Sequence, residues 1–327
     1  MKHRILSGMR PTGPLHIGHL FGALQNWIEL QETYECLFMV ADWHALMSEY
    51  EDPGAIQENI IEMVIDWVSC GLDPDKCSIF VQSRVPEHLE LAMVLSNITP
   101  LSWLERNPTY KEQLREMTTR NLTTYGFLGY PVLQAADILI YKAGSVPVGE
   151  DQIAHLELTR EIVRKFNALY KGSILVEPHP LLTKTARILG LDKRKMSKSY
   201  SNYIALKDNA DEIKKKVGSM ITDPKRVKMT DKGHPEVCGV HDYFEIFKPS
   251  IKREVDDWCR KAQKGCTECK AILASAVSDY LGPIRKKREM LAKDRNEIAG
   301  ILDKGNEKAR AIARDTITQV KKAAGML

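Results

Sequence analysis

The sequence predicts an α/β chain, a doubly wound parallel sheet followed by a second, all-helical domain. Three observations carry this. Short apolar runs alternate with helix-period segments through the first half. A turn rich in glycine and proline joins the first apolar run to a helix. Beyond about residue 190 the strand signals stop, while helical periodicity continues.

The first run begins at Ile5 and leads through Gly8-Met9-Arg10-Pro11-Thr12-Gly13 into a helix that opens on His16-Ile17-Gly18-His19. Leu20, Leu24, Trp27 and Ile28 then recur at helical spacing. Strand, glycine turn and helix N-terminus suit an anionic phosphate, which meets free N–H groups and the positive helix end. Gly18 leaves room for a flat ligand on the backbone. Residues 36–41 form a continuous apolar run, as a strand buried on both faces does. It delivers Asp42-Trp43-His44 at its carboxyl end, where ligands of such sheets collect. Ile56, Ile60, Met63, Val64, Trp67 and Val68 mark the next helix. A strand at 77–81 and a helix from Pro86 to Ile98 follow, and the alternation implies right-handed crossovers.

From Thr99 to Tyr125 the pattern becomes polar and helical, an insert whose alternative reading is a plain surface excursion. A helix from Pro131 to Tyr141, a strand at Val146–Val148 and a long amphipathic helix from about Glu150 to Leu169 come next. The expected boundaries are 1–190 for a nucleotide-binding domain with a helical insert at about 99–145, and 191–327 for the rest. In that second part three basic runs, at 214–216, 223–226 and 285–288, interrupt helical patterns. Each suits a solvated helix face at least as well as an RNA contact. The last helix carries Ala309, Ile312, Ala313, Thr316 and Val320 on one face, which must pack on something.

Composition sets bounds on this. The 327 residues exceed one ordinary core and suit two domains. A net charge of +4 permits a polyanionic partner without requiring one. No apolar run reaches the length of a membrane span, and the N-terminal run is too short for a signal peptide, so a cytoplasmic protein is expected. No paired carboxylates and no Cys/His pair point to acyl-enzyme or hydrolytic metal chemistry.

Far downstream, Lys195-Met196-Ser197-Lys198-Ser199 lies in a basic stretch. The HIGH and KMSKS elements, in this order and at this separation, resemble the class I aminoacyl-tRNA synthetases. Val146-Pro147-Val148-Gly149-Glu150-Asp151-Gln152 and Ala135-Ala136-Asp137-Ile138-Leu139 resemble the bacterial-type tryptophan enzymes of that class. The resemblance covers nearly the whole chain. It implies a Rossmann-like catalytic domain, an insert that forms a homodimer interface, a helical anticodon-binding domain, and a last helix returning to the catalytic domain. It also implies a reaction: activation of L-tryptophan with ATP and Mg2+ to an adenylate and pyrophosphate, then transfer to tRNA(Trp).

Roles follow by resemblance. His16, His19, Lys111, Lys195 and Lys198 would carry the catalytic handling of phosphates. Met9, Arg10, Thr12, Gly18, His19, Gly149, Asp151, Met196 and Ser197 would hold ATP. Leu6, Gly8, His44, Tyr130, Gln134, Val146, Val148 and Gln152 would wall or contact the amino acid. Asp137 would accept the indole N–H, the one polar handle that tryptophan offers. A carboxylate in so apolar a helix needs a partner, since burial alone is costly. Gln134 and Arg10 depart from the usual pattern. They keep a tyrosyl-tRNA synthetase as an alternative, and a non-catalytic tRNA-binding paralogue is a second.

Seven cysteines are present, four of them late in the chain. Cys238, Cys259, Cys266 and Cys269 include a C-x-x-C pair set among polar residues, a spacing typical of metal ligands. Four thiolates suit tetrahedral zinc or an iron–sulfur cluster. The chain resembles a subgroup of tryptophan enzymes with a 4Fe-4S cluster in the anticodon domain, so a structural cluster is expected, with Zn2+ as the alternative.

Overall fold

A computed structural model describes residues 2–116, 121–149, 152–182 and 188–327. Its core is a five-stranded, wholly parallel sheet in the order β3-β2-β1-β4-β5. The strands are β1 (Arg4–Met9), β2 (Glu35–Val40), β3 (Cys77–Val81), β4 (Ser145–Val148) and β5 (His179–Leu182). Every residue of β3, and all of β2 after Glu35, is buried, as strands covered on both faces must be. β5 was not foreseen. It is a short edge strand whose His-Pro-Leu-Leu sequence shows no alternation and carries a proline, which only an edge tolerates.

The helix after the first turn has three parts: α1 (Ile17–His19), a π segment (Leu20–Leu24) and α2 (Gln25–Thr33). Such wide turns mostly appear as single insertions at functional sites. Helices α3 (Asp42–Glu49), α4 (Ile56–Cys70) and α5 (Glu87–Ser96) complete the first crossovers. The insert supplies α6 (Leu101–Glu105) and α7 (Pro108–Glu116). The next helix, α8, spans Tyr125–Ile140 and so starts six residues before Pro131. The Thr124 hydroxyl caps it, accepting from the Phe127 N–H at 3.2 Å. Pro131 therefore lies inside the helix, where sequence favours the first turn. A long helix, α9 (Ile153–Leu169), leads towards β5.

After β5 the described residues are helical, with only isolated bridges of strand type. The helices are α10 (Ala210–Gly218), α11 (Gly239–Phe247), α12 (Lys252–Arg260), α13 (Cys266–Leu291) and α14 (Arg295–Ala323). By mutual contact the described residues form two compact units. One holds residues up to Thr12, 27–182 and 294–327; the other holds 13–26 and 188–293.

In the first unit α14 lies against the edge strand β3. A Cβ on Gly305 would stand 1.8 Å from the Ile79 carbonyl oxygen, so only glycine admits this approach. The Asn306 side-chain oxygen accepts from the Val81 N–H at 2.9 Å and so pairs an otherwise open edge. Ala309, Ala313, Thr316 and Val320 are buried on this face, with Ile312 packed beside them. In the second unit α10 begins at a capping box of Asn209 and Glu212 and buries Ile213 and Val217. No described helix is long and apolar enough to cross a membrane.

Candidate active site

Strand order reverses between β1 and β4, which makes their carboxyl ends the place for a ligand. β1 brings Leu6 and Gly8 there, and β4 brings Val146 and Val148. Gly8 can carry no side chain, since a Cβ would lie 2.6 Å from the Met39 carbonyl oxygen on β2. Met9, Arg10 and Thr12 continue from β1, and Arg10 is exposed.

Asp137 lies on α8 and is 2% exposed. The partner that its burial demands proves to be three partners. His44 Nε2, on α3, lies 2.8 Å from Oδ2. His88 Nδ1, on α5, lies 2.6 Å from Oδ1. Gln82 donates its side-chain N–H to Oδ1 at 2.8 Å and to Oδ2 at 3.0 Å. Burial alone would raise the pKa of this carboxyl. Hydrogen bonds from His44 and His88 outweigh it and hold the carboxyl below the usual carboxylate range. The site thus keeps a carboxylate at neutral pH. His88 and Gln82 were not identified from sequence, because they follow β3 and come together with α8 only in the fold.

Tyr130, earlier on α8, shares a 2.7 Å hydrogen bond with His155 Nε2 on α9. Burial pushes the Tyr130 phenol up, so it keeps its proton. Gln134 is half-buried on α8, and Gln152 is half-buried just before α9. Gly149 is exposed at the end of β4, and Lys111 is exposed on α7. Asp151 lies outside the described residues.

The second unit brings HIGH and KMSKS together. The Ile17 N–H donates to the Ile204 carbonyl at 3.0 Å, and the Leu206 N–H donates to the Leu15 carbonyl at 3.0 Å. These bonds tie the chain just after KMSKS to the chain at HIGH. The backbone N–H of His16 donates to His19 Nδ1 at 3.2 Å, and the two rings lie 3.8 Å apart. A Cβ on Gly18 would stand 2.9 Å from the His16 ring and 3.3 Å from the Met196 sulfur. The His16 ring and the Met196 sulfur thus lie beside the bare glycine. Burial, and then the Lys198 charge, lowers His16 to about 4. Burial, His16 and Lys198 lower His19 as well. Both imidazoles are neutral at pH 7 and serve as hydrogen-bonding groups.

Lys198 Nζ donates to the Gly13 carbonyl at 3.1 Å, while Lys195 is exposed. Asn202, 4% exposed, holds the loop between them. Its side-chain oxygen accepts from the Ser197 N–H at 2.8 Å. Its amide donates to Asp192 Oδ1 at 2.7 Å and to the Lys195 carbonyl at 3.1 Å. The lysines are thus carried on a braced backbone.

Cys238, Cys259, Cys266 and Cys269 line a single small cavity of about 30 Å³ with Trp258 and Arg226. Burial raises the thiols of Cys259 and Cys269, the latter to about 12, with neighbouring cysteines adding to both shifts. Among the described residues no group of three or more His, Cys, Asp or Glu side chains is arranged to hold a metal ion. Of the basic runs, Arg226 bonds the Lys264 carbonyl at 2.7 Å, and Lys216 pairs with Asp208 at 2.5 Å. These two have structural partners.

Known proteins resemble the chain throughout. The family described as tRNA synthetases class I (W and Y) matches residues 1–282. A tryptophan–tRNA ligase of Thermotoga maritima is 47% identical, with 99% of each chain covered. That of Aquifex aeolicus is 42% identical, covering 98% of this chain and 99% of its own. A solved tryptophanyl-tRNA synthetase from Campylobacter jejuni, complexed with ADP and tryptophan, superposes with a TM-score of 0.90 at 33% identity, covering 98% of this chain and 99% of its own. With a parallel sheet, its switch point and both signature elements in place, the chain belongs to the bacterial-type tryptophanyl-tRNA synthetases of class I.

Proposed function

We propose that the chain activates L-tryptophan with ATP and Mg2+ and transfers it to the 3′ end of tRNA(Trp). The observation that carries this is the buried Asp137 carboxylate, held by His44, Gln82 and His88 from the segments that follow β2 and β3. Indole has one N–H donor and no acceptor, so an apolar slot with one fixed acceptor is what selects it. In this reading Leu6, Gly8, Val146 and Val148 form the slot. His44, Tyr130, Gln134 and Gln152 face the amino acid. Met9, Arg10, Thr12, Gly149 and Asp151 take the nucleotide together with Gly18, Met196 and Ser197.

The first step is attack of the tryptophan carboxylate on the α-phosphorus, with pyrophosphate leaving. It needs alignment and charge neutralisation, and no covalent intermediate on the protein. Neutral His16 and His19 offer hydrogen bonds to the nucleotide. Lys195, Lys198 and Lys111 offer point charges to the departing phosphates. Amino-acid-dependent exchange of pyrophosphate into ATP tests this with all twenty amino acids. Exchange with tryptophan alone is expected. Exchange with tyrosine alone would move the chain to the alternative opened by Gln134 and Arg10.

The remaining reading concerns assembly and the cysteines. The helical insert would pair two copies as a homodimer, and the helical region after KMSKS would take the anticodon, in the cytoplasm. The four cysteines would hold a structural 4Fe-4S cluster, with zinc as the alternative. The donor set fits: four thiols face one cavity, with the Arg226 guanidinium beside them to offset the negative charge of thiolates. A cluster would take one thiolate on each of its irons. Anaerobically purified protein should be brown and contain iron and sulfide. Iron-free protein with stoichiometric zinc would replace the cluster by zinc.

A further inference from the structure

His88 is a fully buried imidazole for which the reaction as described has no use. It lies in the first turn of α5 and faces Asp137 on α8 and Tyr141, the residue that caps the end of α8. Nδ1 is 2.6 Å from Asp137 Oδ1, and Nε2 is 2.7 Å from the Tyr141 hydroxyl. The proton positions follow from the partners. A carboxylate only accepts, so Nδ1 carries hydrogen. Burial and the charge of Asp137 push the Tyr141 phenol up, so it keeps a proton that it can donate to Nε2. With Tyr141 as the donor, the ring is the Nδ1–H tautomer, the arrangement that the proposal below requires. Phe80 holds its plane: it lies 6.2 Å from the His88 ring at 26° and packs edge-on against Tyr141.

The two oxygens of Asp137 differ in consequence. Oδ1 is held by two wholly buried donors, His88 and the shorter arm of Gln82. Oδ2 takes the longer arm of Gln82 and His44, whose side chain keeps 11% exposure. We propose that His88, oriented by Tyr141, is a positioning residue for amino-acid selection: it anchors Oδ1 so that Oδ2 is presented to the indole N–H. This rests on the assignment of tryptophan as substrate. His88 itself touches no substrate. It acts through Asp137, so its loss should weaken tryptophan selection and spare the nucleotide.

The test combines pyrophosphate exchange with ¹⁵N NMR of the histidines in the full-length protein. In wild type His88 should show the Nδ1–H pattern. Tyr141→Phe removes only the hydroxyl. It should raise the KM for tryptophan about tenfold, as loss of one buried hydrogen bond does, and leave the KM for ATP within about twofold. His88→Leu should raise the tryptophan KM further. His88→Asn, whose amide N–H can replace Nδ1–H, should recover most of that loss.

An Nε2–H ring in wild type overturns the proposal. So does a Tyr141→Phe enzyme with unchanged tryptophan KM, or one whose two KM values rise together. If His88→Leu does not fold, Tyr141→Phe and the wild-type spectrum still decide. A wild type that activates another amino acid overturns the substrate assignment itself. A wild type that activates tryptophan but fails the variant tests overturns only the role of His88.

Discussion

The surroundings of Asp137 and of Lys195 are built in opposite ways. Each oxygen of Asp137 meets at least two donors, on three separate segments of the sheet unit, and the whole group is buried. Asn202 braces the KMSKS backbone at the Ser197 N–H and the Lys195 carbonyl, and Lys198 donates to the Gly13 carbonyl, while Lys195 keeps its ammonium in solvent. Selection of an amino acid requires an acceptor that is already in place, since a donor that must search for it gains little. Charge at pyrophosphate arises only during the reaction, so Lys195, whose ammonium is in solvent, can follow it. A carboxylate held on both oxygens and an ammonium left in solvent are two answers to two different tasks.

The largest expected effect tests the loop. Lys198→Ala should slow adenylate formation by about 10²–10³-fold, the usual cost of removing one group that meets developing charge. Tryptophan affinity should change little. Single-turnover adenylate formation measures the first, and equilibrium binding of tryptophan the second. A normal rate with weak tRNA binding would assign the loop to RNA.

Asp137→Asn probes the fixed side. It keeps the shape but turns an acceptor-only group into a mixed one among donors. A loss of about 1–3 kcal/mol in kcat/KM for tryptophan is expected, with the KM for ATP preserved. Equal losses for both substrates would mean that the network holds the fold and does not select.

The HIGH histidines sharpen the contrast through pH. His16 titrates near 4 in the fold against 6.5 when unfolded. The unfolded chain therefore binds the extra proton between these values, and stability rises with pH across that window. His16 should contribute its full stability above pH 6.5 and lose about 2 kcal/mol of it by pH 5. His16→Gln should flatten the fall in Tm between pH 7 and pH 5. An equally steep fall in the variant would place the titration elsewhere.

The smallest effect is expected from Gly18→Ala. The new methyl meets the His16 ring and the Met196 side chain, both able to shift. Helix propensity returns about 1 kcal/mol, so Tm should stay nearly constant. The KM for ATP should rise a few-fold, because His16 is displaced by about the width of one methyl group. A changed Tm with unchanged kinetics would show that Gly18 serves only the fold.

Local sequence determined a good deal of this protein. The runs at 36–41 and 77–81 and the helical stripe of α14 could be read directly, because burial on both faces, or on one helical face, leaves a period in the chain. The signature elements and Asp137 were legible for a related reason. Each puts an unusual chemical group where its neighbours offer no explanation for it. The need of Asp137 for a partner was legible too.

Which residues meet it was decided by tertiary structure alone. Gln82, His88 and Tyr141 look ordinary in sequence, and the crossing of α5 with α8 makes them a network. β5 lacked a pattern because a proline-bearing edge strand needs none. The start of α8 was hidden behind Pro131, since a tolerated proline inside a helix looks the same as one that opens it. The convergence of four distant cysteines on one cavity was likewise settled by packing, because spacing along a chain fixes nothing about distance once intervening helices turn back. Period and chemistry are local properties and survive in one dimension. Partnership is a property of the folded chain.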